Sequence, residues 1–171
     1  MVGAALLAIS ACSTSAAATG GPLRGDGAGY GAAVVTVPNR PNTMGGLLLC
    51  TNGAAFVLDS VRAAAVHGSG KLEDAGIRSS PAEDGAIDGG QGVLPAVMGP
   101  VKGYRVTQVC GSSGNMVSEL GIQVSRGHGY GAVDGLRINY HVGNTSYKAI
   151  YKFTATLCDP SANDNPKYCS D

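Results

Sequence analysis

The stretch from Leu136 to Cys158 constrains the fold most, because apolar and polar residues alternate along it on both sides of a short turn. The alternating apolar positions are Leu136, Ile138, Tyr140 and Val142 before the turn, and Tyr147, Ala149, Tyr151, Phe153, Ala155 and Leu157 after it. A period of two is the spacing of side chains on one face of a β-strand. Residues 143–146, Gly-Asn-Thr-Ser, are of types that favour a tight reversal. The pattern therefore predicts a β-hairpin that is buried on one face.

A four-residue turn sets the predicted register of this hairpin and pairs Val142 with Tyr147, so that every apolar pair falls on the same face. The opposite face then carries four basic side chains: Arg137, His141, Lys148 and Lys152. In this register Arg137 lies opposite Lys152, and His141 lies opposite Lys148. Directly opposed like charges destabilise a strand pair, and no acidic residue on the two strands relieves them.

The rest of the chain also predicts strands rather than helices. Short apolar or alternating segments, bounded by Gly, Pro, Asn and Ser, occur at 31–37, 46–51, 56–66, 104–109 and 120–124. About seven short strands with frequent turn signals are typical of an antiparallel β-sandwich. We therefore expect an all-β, immunoglobulin-like sandwich over residues 30–160. The chain has no Trp, so this expectation concerns the architecture and not membership of the immunoglobulin family.

Length and charge exclude several classes of protein. A chain of 171 residues is long enough for one domain with its own core. The 12 basic and 12 acidic residues balance, which removes the electrostatic signature of a nucleic-acid-binding protein. No apolar run in the sequence reaches the roughly 18 residues that a membrane-spanning helix needs.

The first dozen residues have the pattern of an export signal. A short apolar segment, Val2–Ile9, is followed by small residues and a cysteine, Ser10-Ala11-Cys12. The sequence Ile9-Ser10-Ala11-Cys12 resembles the lipobox of bacterial lipoproteins. The resemblance implies a signal peptide at 1–11, cleavage before Cys12, lipidation of its sulfur and attachment to a membrane. The Ser-, Ala- and Gly-rich residues 12–29 are predicted to be a flexible tether, and 161–171 a polar tail.

The cysteine count agrees with this interpretation. If Cys12 carries lipid, four cysteines remain: Cys50, Cys110, Cys158 and Cys169. An even number in an exported chain predicts two disulfides, for which three pairings are possible. We favour Cys50–Cys110, which would join two strand ends, and Cys158–Cys169, which would tie the tail to the last strand. No pair has the C-x-x-C spacing of a redox or zinc site.

The sequence offers only scattered candidates for catalysis, metal binding or a cofactor. His67, His128 and His141 do not occur in any paired catalytic or zinc spacing. An acidic cluster at Glu73, Asp74, Glu83, Asp84 and Asp88 does not match a calcium loop, and solvation explains it better. Met44, Met98 and Met116 are scattered singly, which argues for packing rather than copper binding. We expect no catalytic residue, no metal site and no cofactor.

These patterns together predict an exported protein that is anchored by lipid at the outer face of the cell membrane, or secreted, and that acts as a binding or interaction module. Arg137, His141, Lys148 and Lys152 are the candidate binding residues, and a phospholipid surface, an anionic wall polymer or an acidic protein is the expected type of partner. The alternative for the charges is that a neighbouring strand or the acidic loop neutralises them. The alternative functions are an envelope hydrolase and a metal-binding exported protein.

Overall fold

The computed structural model describes residues 20–25, 30–81, 87, 89–112, 116–161 and 169. These residues form nine strands: β1 (Leu23–Gly25), β2 (Tyr30–Val35), β3 (Asn42–Thr51), β4 (Phe56–Pro81), β5 (Gly90–Gln91), β6 (Gly99–Pro100), β7 (Arg105–Val106), β8 (Met116–Val142) and β9 (Thr145–Cys158). The described part of the chain contains no α-helix. Within these residues there is likewise no helix with the length and hydropathy needed to span a membrane.

Two long strands, β4 and β8, form the spine of the fold. They have 26 and 27 residues and pair antiparallel from Val57 opposite His141 to Pro81 opposite Met116. Their pairing is irregular where glycines approach each other: Gly68 lies opposite Gly131 and Gly70 opposite Arg126, so the register skips residues 127–130 of β8, and we call this irregularity the bend. A Cβ on Gly70 would lie 2.5 Å from the carbonyl oxygen of Ala132, and Gly68 has φ +55°. Only glycine allows so close an approach of two backbones. Residues 127–131, whose glycines favour a loop, are therefore part of one continuous strand.

The remaining strands flank this spine and curl it into one sheet. The first half of β8 pairs with β3 and the second half pairs with β9. β1 and β5 pair with β3, and β6 and β7 pair with β4. β2 pairs with β9 in parallel, so the sheet is mixed. The all-β class is confirmed, whereas the antiparallel immunoglobulin-like sandwich is not: the described strands form a single mixed sheet.

The predicted hairpin is present, but its register differs by two residues. Val142 pairs with Thr145 across a two-residue turn, Gly143-Asn144, and Tyr140 consequently lies opposite Tyr147. Gly143 has φ +55°, as the first central position of a type II′ turn requires. Because a shift of two residues preserves the alternation, the buried face is the predicted one: Tyr140 and Tyr151 are 1% and 6% exposed. The predicted pairs of opposed charges are wrong.

The core lies on the inner face of the curled sheet. Its fully buried members include side chains from both halves of the long strands and from β3: Leu47, Leu49, Phe56, Leu58, Leu120, Ile122, Leu136 and Ile138. The ring of Tyr140 packs 4.9 Å from Phe56 and stacks 5.4 Å from Tyr147. Burial of these apolar side chains is the main stabilising term, at about 25 cal/mol per Å².

Disulfides join the chain at the two favoured pairs. Cys50 is bonded to Cys110 and Cys158 to Cys169.

The predicted tether, 12–29, overlaps the domain, because Leu23–Gly25 forms β1 on the edge of β3 and Leu23 is buried. Residues 1–19 and 26–29 lie outside the described residues, as do 162–168 and 170–171 of the predicted tail.

A buried arginine holds the bend of β8 in place. Arg126 is 1% exposed, and its Nη1 donates to Asp159 at 2.8 Å and to the carbonyl oxygens of Gly127 and Gly129 at 3.0 Å. Its Nε donates to Thr36 Oγ1 at 2.7 Å, and its Nη2 donates to the Thr36 carbonyl oxygen. A buried charge is tolerated when it is paired and hydrogen-bonded in this way. Arg126 thus ties the bend of β8 to the ends of β2 and β9.

Candidate binding surface

Four basic side chains occupy the outer face of the second half of the sheet. We call Arg62, Arg137, Lys148 and Lys152 the basic face. Arg137 lies on the central strand β8, with Arg62 on β4 to one side and Lys148 and Lys152 on β9 to the other. Arg62, Lys148 and Lys152 are exposed and Arg137 is half-buried. These residues alternate with buried ones along their strands. Tyr151, for example, is buried and lies between Ile150 and Lys152, so the side chains of those two residues point to the outer face.

The close pair on this face is Arg62 and Arg137, which lie directly opposite each other on β4 and β8. Lys148 faces Asn139, and Arg137 faces Ile150 on its other side. Arg62 was not among the predicted binding residues, because the pairing of β4 with β8 joins segments about 75 residues apart and has no local signal. Arg62 and Arg137 are thus an opposed pair of like charges that the predicted register did not include.

The basic face has no close carboxylate in the described part of the chain. Among the described residues, no acidic side chain lies within 4.0 Å of Arg62, Arg137, Lys148 or Lys152. The Nε of Arg137 is buried and has no hydrogen-bond partner within the same residues. An unsatisfied buried donor of a charged group costs free energy. Ile150, 55% exposed, adds an apolar side chain between the two lysines.

His141, the fourth predicted binding residue, is different, because a neighbouring strand supplies its counter-charge. Its Nδ1 lies 2.8 Å from Oδ1 of Asp59, which is the extra residue of a bulge in β4 between Leu58 and Ser60. For His141, therefore, the alternative interpretation applies: a residue on a neighbouring strand supplies the counter-charge. The pair forms one border of the basic face.

A second histidine and carboxylate lie towards the bend. Nε2 of His67 is 4.0 Å from Oδ2 of Asp134, and Thr154 Oγ1 donates to Asp134 Oδ1 at 2.9 Å. Both His67 and Asp134 are about half exposed. The third histidine, His128, is exposed in the bend of β8. The three histidines therefore do not share a site.

The His141–Asp59 pair has one feature of a hydrolytic site. A carboxylate that orients a histidine is the second half of a Ser-His-Asp triad, and Ser146 is directly opposite His141 in the register of β8 and β9. The described hydrogen bonds of the His141 ring, however, are to Asp59 alone and include no hydroxyl. The pair lies on an open face of the sheet.

The acidic residues do not gather into a metal site within the described part of the chain. No group of three or more His, Cys, Asp or Glu side chains is found there that could hold an ion. Glu73 accepts from Lys71 at 2.7 Å and from Ser125 at 2.6 Å, and these bonds lower the pKa of its carboxyl. Glu83, Asp84 and Asp88 lie outside the described residues.

The buried carboxylate of Glu119 has a structural role. It accepts from the N–H groups of Gly46 and Ile87 and from Arg78 Nε, each at 2.7 Å. The Glu119 carboxylate therefore links β8 to β3, to β4 and to the segment before β5. Its oxygens are occupied by these hydrogen bonds. Of the three methionines considered for copper binding, Met44 is buried in the core, Met98 precedes β6, and Met116 is exposed at the start of β8.

Comparison with known proteins gives no relative for this arrangement. No family model, curated protein or solved structure matches the chain. The case for function therefore depends on the residues and geometry described above.

Proposed function

We propose that the protein is an exported, lipid-anchored module of the cell envelope that binds an anionic envelope component through its basic face. Cys12 is the anchor, and the resemblance of Ile9–Cys12 to a bacterial lipobox supports it. The two disulfides support an oxidising compartment outside the cytoplasm. The anchor places the domain at the outer face of the cell membrane.

The observation that carries the binding role is the opposition of Arg62 and Arg137 with no described carboxylate within 4.0 Å of either side chain. Two cations a strand apart repel each other, and a phosphate between them would turn that repulsion into attraction. Lys148 and Lys152 are four residues apart on β9, about 13 Å at 3.3 Å per residue, and extend the charge along the strand. The face suits a surface with many phosphates better than one small anion.

The experiment is sedimentation of the soluble domain with vesicles of phosphatidylglycerol and with vesicles of phosphatidylcholine. The wild type is expected to bind the anionic vesicles only, and more weakly as salt rises. A Lys near an anionic membrane contributes about 1 kcal/mol, so Lys148→Gln with Lys152→Gln should weaken binding about 30-fold.

A matched control keeps the change in net charge equal. Arg24→Gln with Arg40→Gln also removes two positive charges, from exposed positions on β1 and in the connection between β2 and β3. This variant should bind within about twofold of the wild type. Equal losses in the two double variants would show a general charge effect and contradict a role for the basic face.

A hydrolase is the second candidate, and the His141–Asp59 pair opposite Ser146 is the observation that favours it. Hydrolysis of p-nitrophenyl butyrate by the wild type, lost in both Ser146→Ala and Asp59→Asn, would establish it. The binding function predicts no turnover above that of a boiled sample.

A further inference from the structure

A cleft of about 450 Å³ opens between β2 and the start of β3, on the side of the sheet away from the basic face. Its walls include Ala32, Val34, Met44 and Phe153, which belong to the core or pack against it. Val35 and Val37 also line it and are 67% and 52% exposed. An apolar surface therefore continues from the core to solvent. Exposed apolar side chains that adjoin an apolar cleft are typical of a binding site.

The cleft exists because two consecutive strands have different partners. β2 pairs with β9, whereas β3 pairs with β8, and residues 36–41 connect the two strands beside the cleft. Arg126 fixes this connection through its bonds to Thr36 and Asp159. Asn39 N–H also donates to the Arg126 carbonyl oxygen at 2.7 Å. The opening is thus held by a buried polar network and belongs to the folded domain.

The lining of the cleft differs in charge from its surroundings. The described residues that line it include no Asp, Glu, Lys, Arg or His. A larger cavity of about 840 Å³ along β4 is lined by six charged residues: Asp59, Arg62, Lys71, Glu73, Asp74 and Lys102. An uncharged lining penalises the entry of a charged group, which would lose its hydration without a partner.

Most of the polar side chains that line the cleft already form hydrogen bonds within the protein. Asn42 Nδ2 donates to the Arg40 carbonyl oxygen at 3.1 Å, and Thr43 Oγ1 donates to the Gly92 carbonyl oxygen at 3.0 Å. Thr36 Oγ1 accepts from Arg126. What the cleft presents to a ligand is chiefly apolar surface.

We propose that this cleft binds a single aliphatic chain, with the polar end of the ligand at the exposed rim formed by Val35 and Val37. The volume lies within the range of about 300–1,000 Å³ that is typical of small-molecule sites. Burial of the chain against Ala32, Val34, Met44 and Phe153 supplies the affinity. The chain can come from a free fatty acid or from a membrane lipid, and this assignment does not depend on lipidation of Cys12 or on the basic face.

The test is a fluorescence titration of the soluble domain with parinaric acid, an aliphatic probe. The wild type should bind it saturably. Val37→Asp places a charge at the rim and should weaken binding about tenfold or more. Val97→Asp is the matched control, because Val97 is 65% exposed and outside the cleft, and it should bind within about twofold of the wild type.

A second pair of variants tests the interior. Ala32→Phe fills the cleft, whereas Ala33→Phe, on the next residue of β2, points to the exposed face. Only Ala32→Phe should abolish binding, and far-ultraviolet circular dichroism should show both variants folded. If Ala32→Phe fails to fold, the comparison of Val37→Asp with Val97→Asp decides whether the cleft binds the probe.

Two competition arms identify the source of the chain. Displacement by palmitate alone indicates a free fatty acid, and displacement by phosphatidylcholine vesicles as well indicates a lipid chain; both support the site. Absence of saturable binding by the wild type, or equal affinity in Val37→Asp and Val97→Asp, would overturn the proposal. Since phosphatidylcholine is uncharged overall, loss of this binding and loss of binding to anionic vesicles are separate results.

Discussion

Arg62 on β4 and Arg137 on β8 lie directly opposite each other on the outer face of the sheet, and no described carboxylate lies within 4.0 Å of either. Opposed like charges cost a strand pair a few tenths of a kcal/mol to about 1 kcal/mol. A position that destabilises the free protein is expected where binding requires it.

Arg62→Glu should therefore stabilise the domain and weaken its binding to anionic vesicles. The new carboxylate would pair with Arg137 across the two strands, and we expect a gain of about 0.5–1 kcal/mol in the free energy of unfolding in urea. Arg40→Glu, at an exposed turn position, is the control and should leave the stability within about 0.5 kcal/mol. A loss of stability in Arg62→Glu would show that the two arginines are not in repulsion.

Arg126→Met should be among the most destabilising substitutions in the chain. It would remove the buried cation that donates to the Asp159 carboxylate and to the Thr36 carbonyl oxygen. Removal of one member of a buried ion pair costs about 3–5 kcal/mol, which urea unfolding can measure. A cost below about 1 kcal/mol would contradict a structural role for this network.

The same network predicts how stability depends on pH. Hydrogen bonds from the Ser161 hydroxyl and N–H, together with the Arg126 charge, lower the pKa of Asp159 from 3.8 to about 2. A lowered carboxyl pKa contributes stability that is present above pH 3.8 and is lost as the pH falls towards 2. The difference in unfolding free energy between the wild type and Asp159→Asn should be constant from pH 7 to 5 and shrink below 4. A difference that persisted unchanged at pH 2 would exclude this origin.

The two disulfides should differ in their contribution. Cys50 and Cys110 are 60 residues apart and Cys158 and Cys169 are 11 apart. In the chain-entropy account, removal of the first should cost about 4 kcal/mol and of the second about 3 kcal/mol. Thermal unfolding of the paired Cys→Ala variants would measure both. A larger loss from the shorter loop would show that its contacts, and not loop closure, dominate.

Gly70→Ala should disrupt the bend of the spine. The added Cβ would lie 2.5 Å and 2.6 Å from backbone atoms of Ala132, which cannot move without shifting β8. Overpacking of this kind costs about 1–3 kcal/mol. Gly90→Ala is the control, since nothing lies within 4 Å of its Cβ. Equal stabilities for the two variants would contradict the close contact at the bend.

Comparison of sequence and structure shows which features have local signals. Alternation identified the buried face of the β8–β9 hairpin, because it depends only on the parity of each position. It did not identify the register, since a turn of four residues and one of two, Gly143-Asn144, give the same faces. The even number of cysteines that remain once Cys12 is set aside likewise predicted two disulfides.

The features that the sequence did not reveal are non-local. Residues 127–131 contain three glycines, which locally favour a loop, and only contact with Gly70 explains them as a bend in a strand. Arg62 joined the basic face through the pairing of β4 with β8, which periodicity cannot indicate. The apolar cleft arises from the separation of β2 and β3 and also has no signal along the chain.

The central claim, a lipid-anchored module, is tested most directly by the intact mass of the full chain expressed in a lipoprotein-processing bacterium, beside Cys12→Ala. The account predicts a lipidated product that begins at Cys12 and partitions into the membrane fraction, and an unlipidated Cys12→Ala protein that does not. An unmodified product with Cys12 present, equally soluble in both samples, would contradict it.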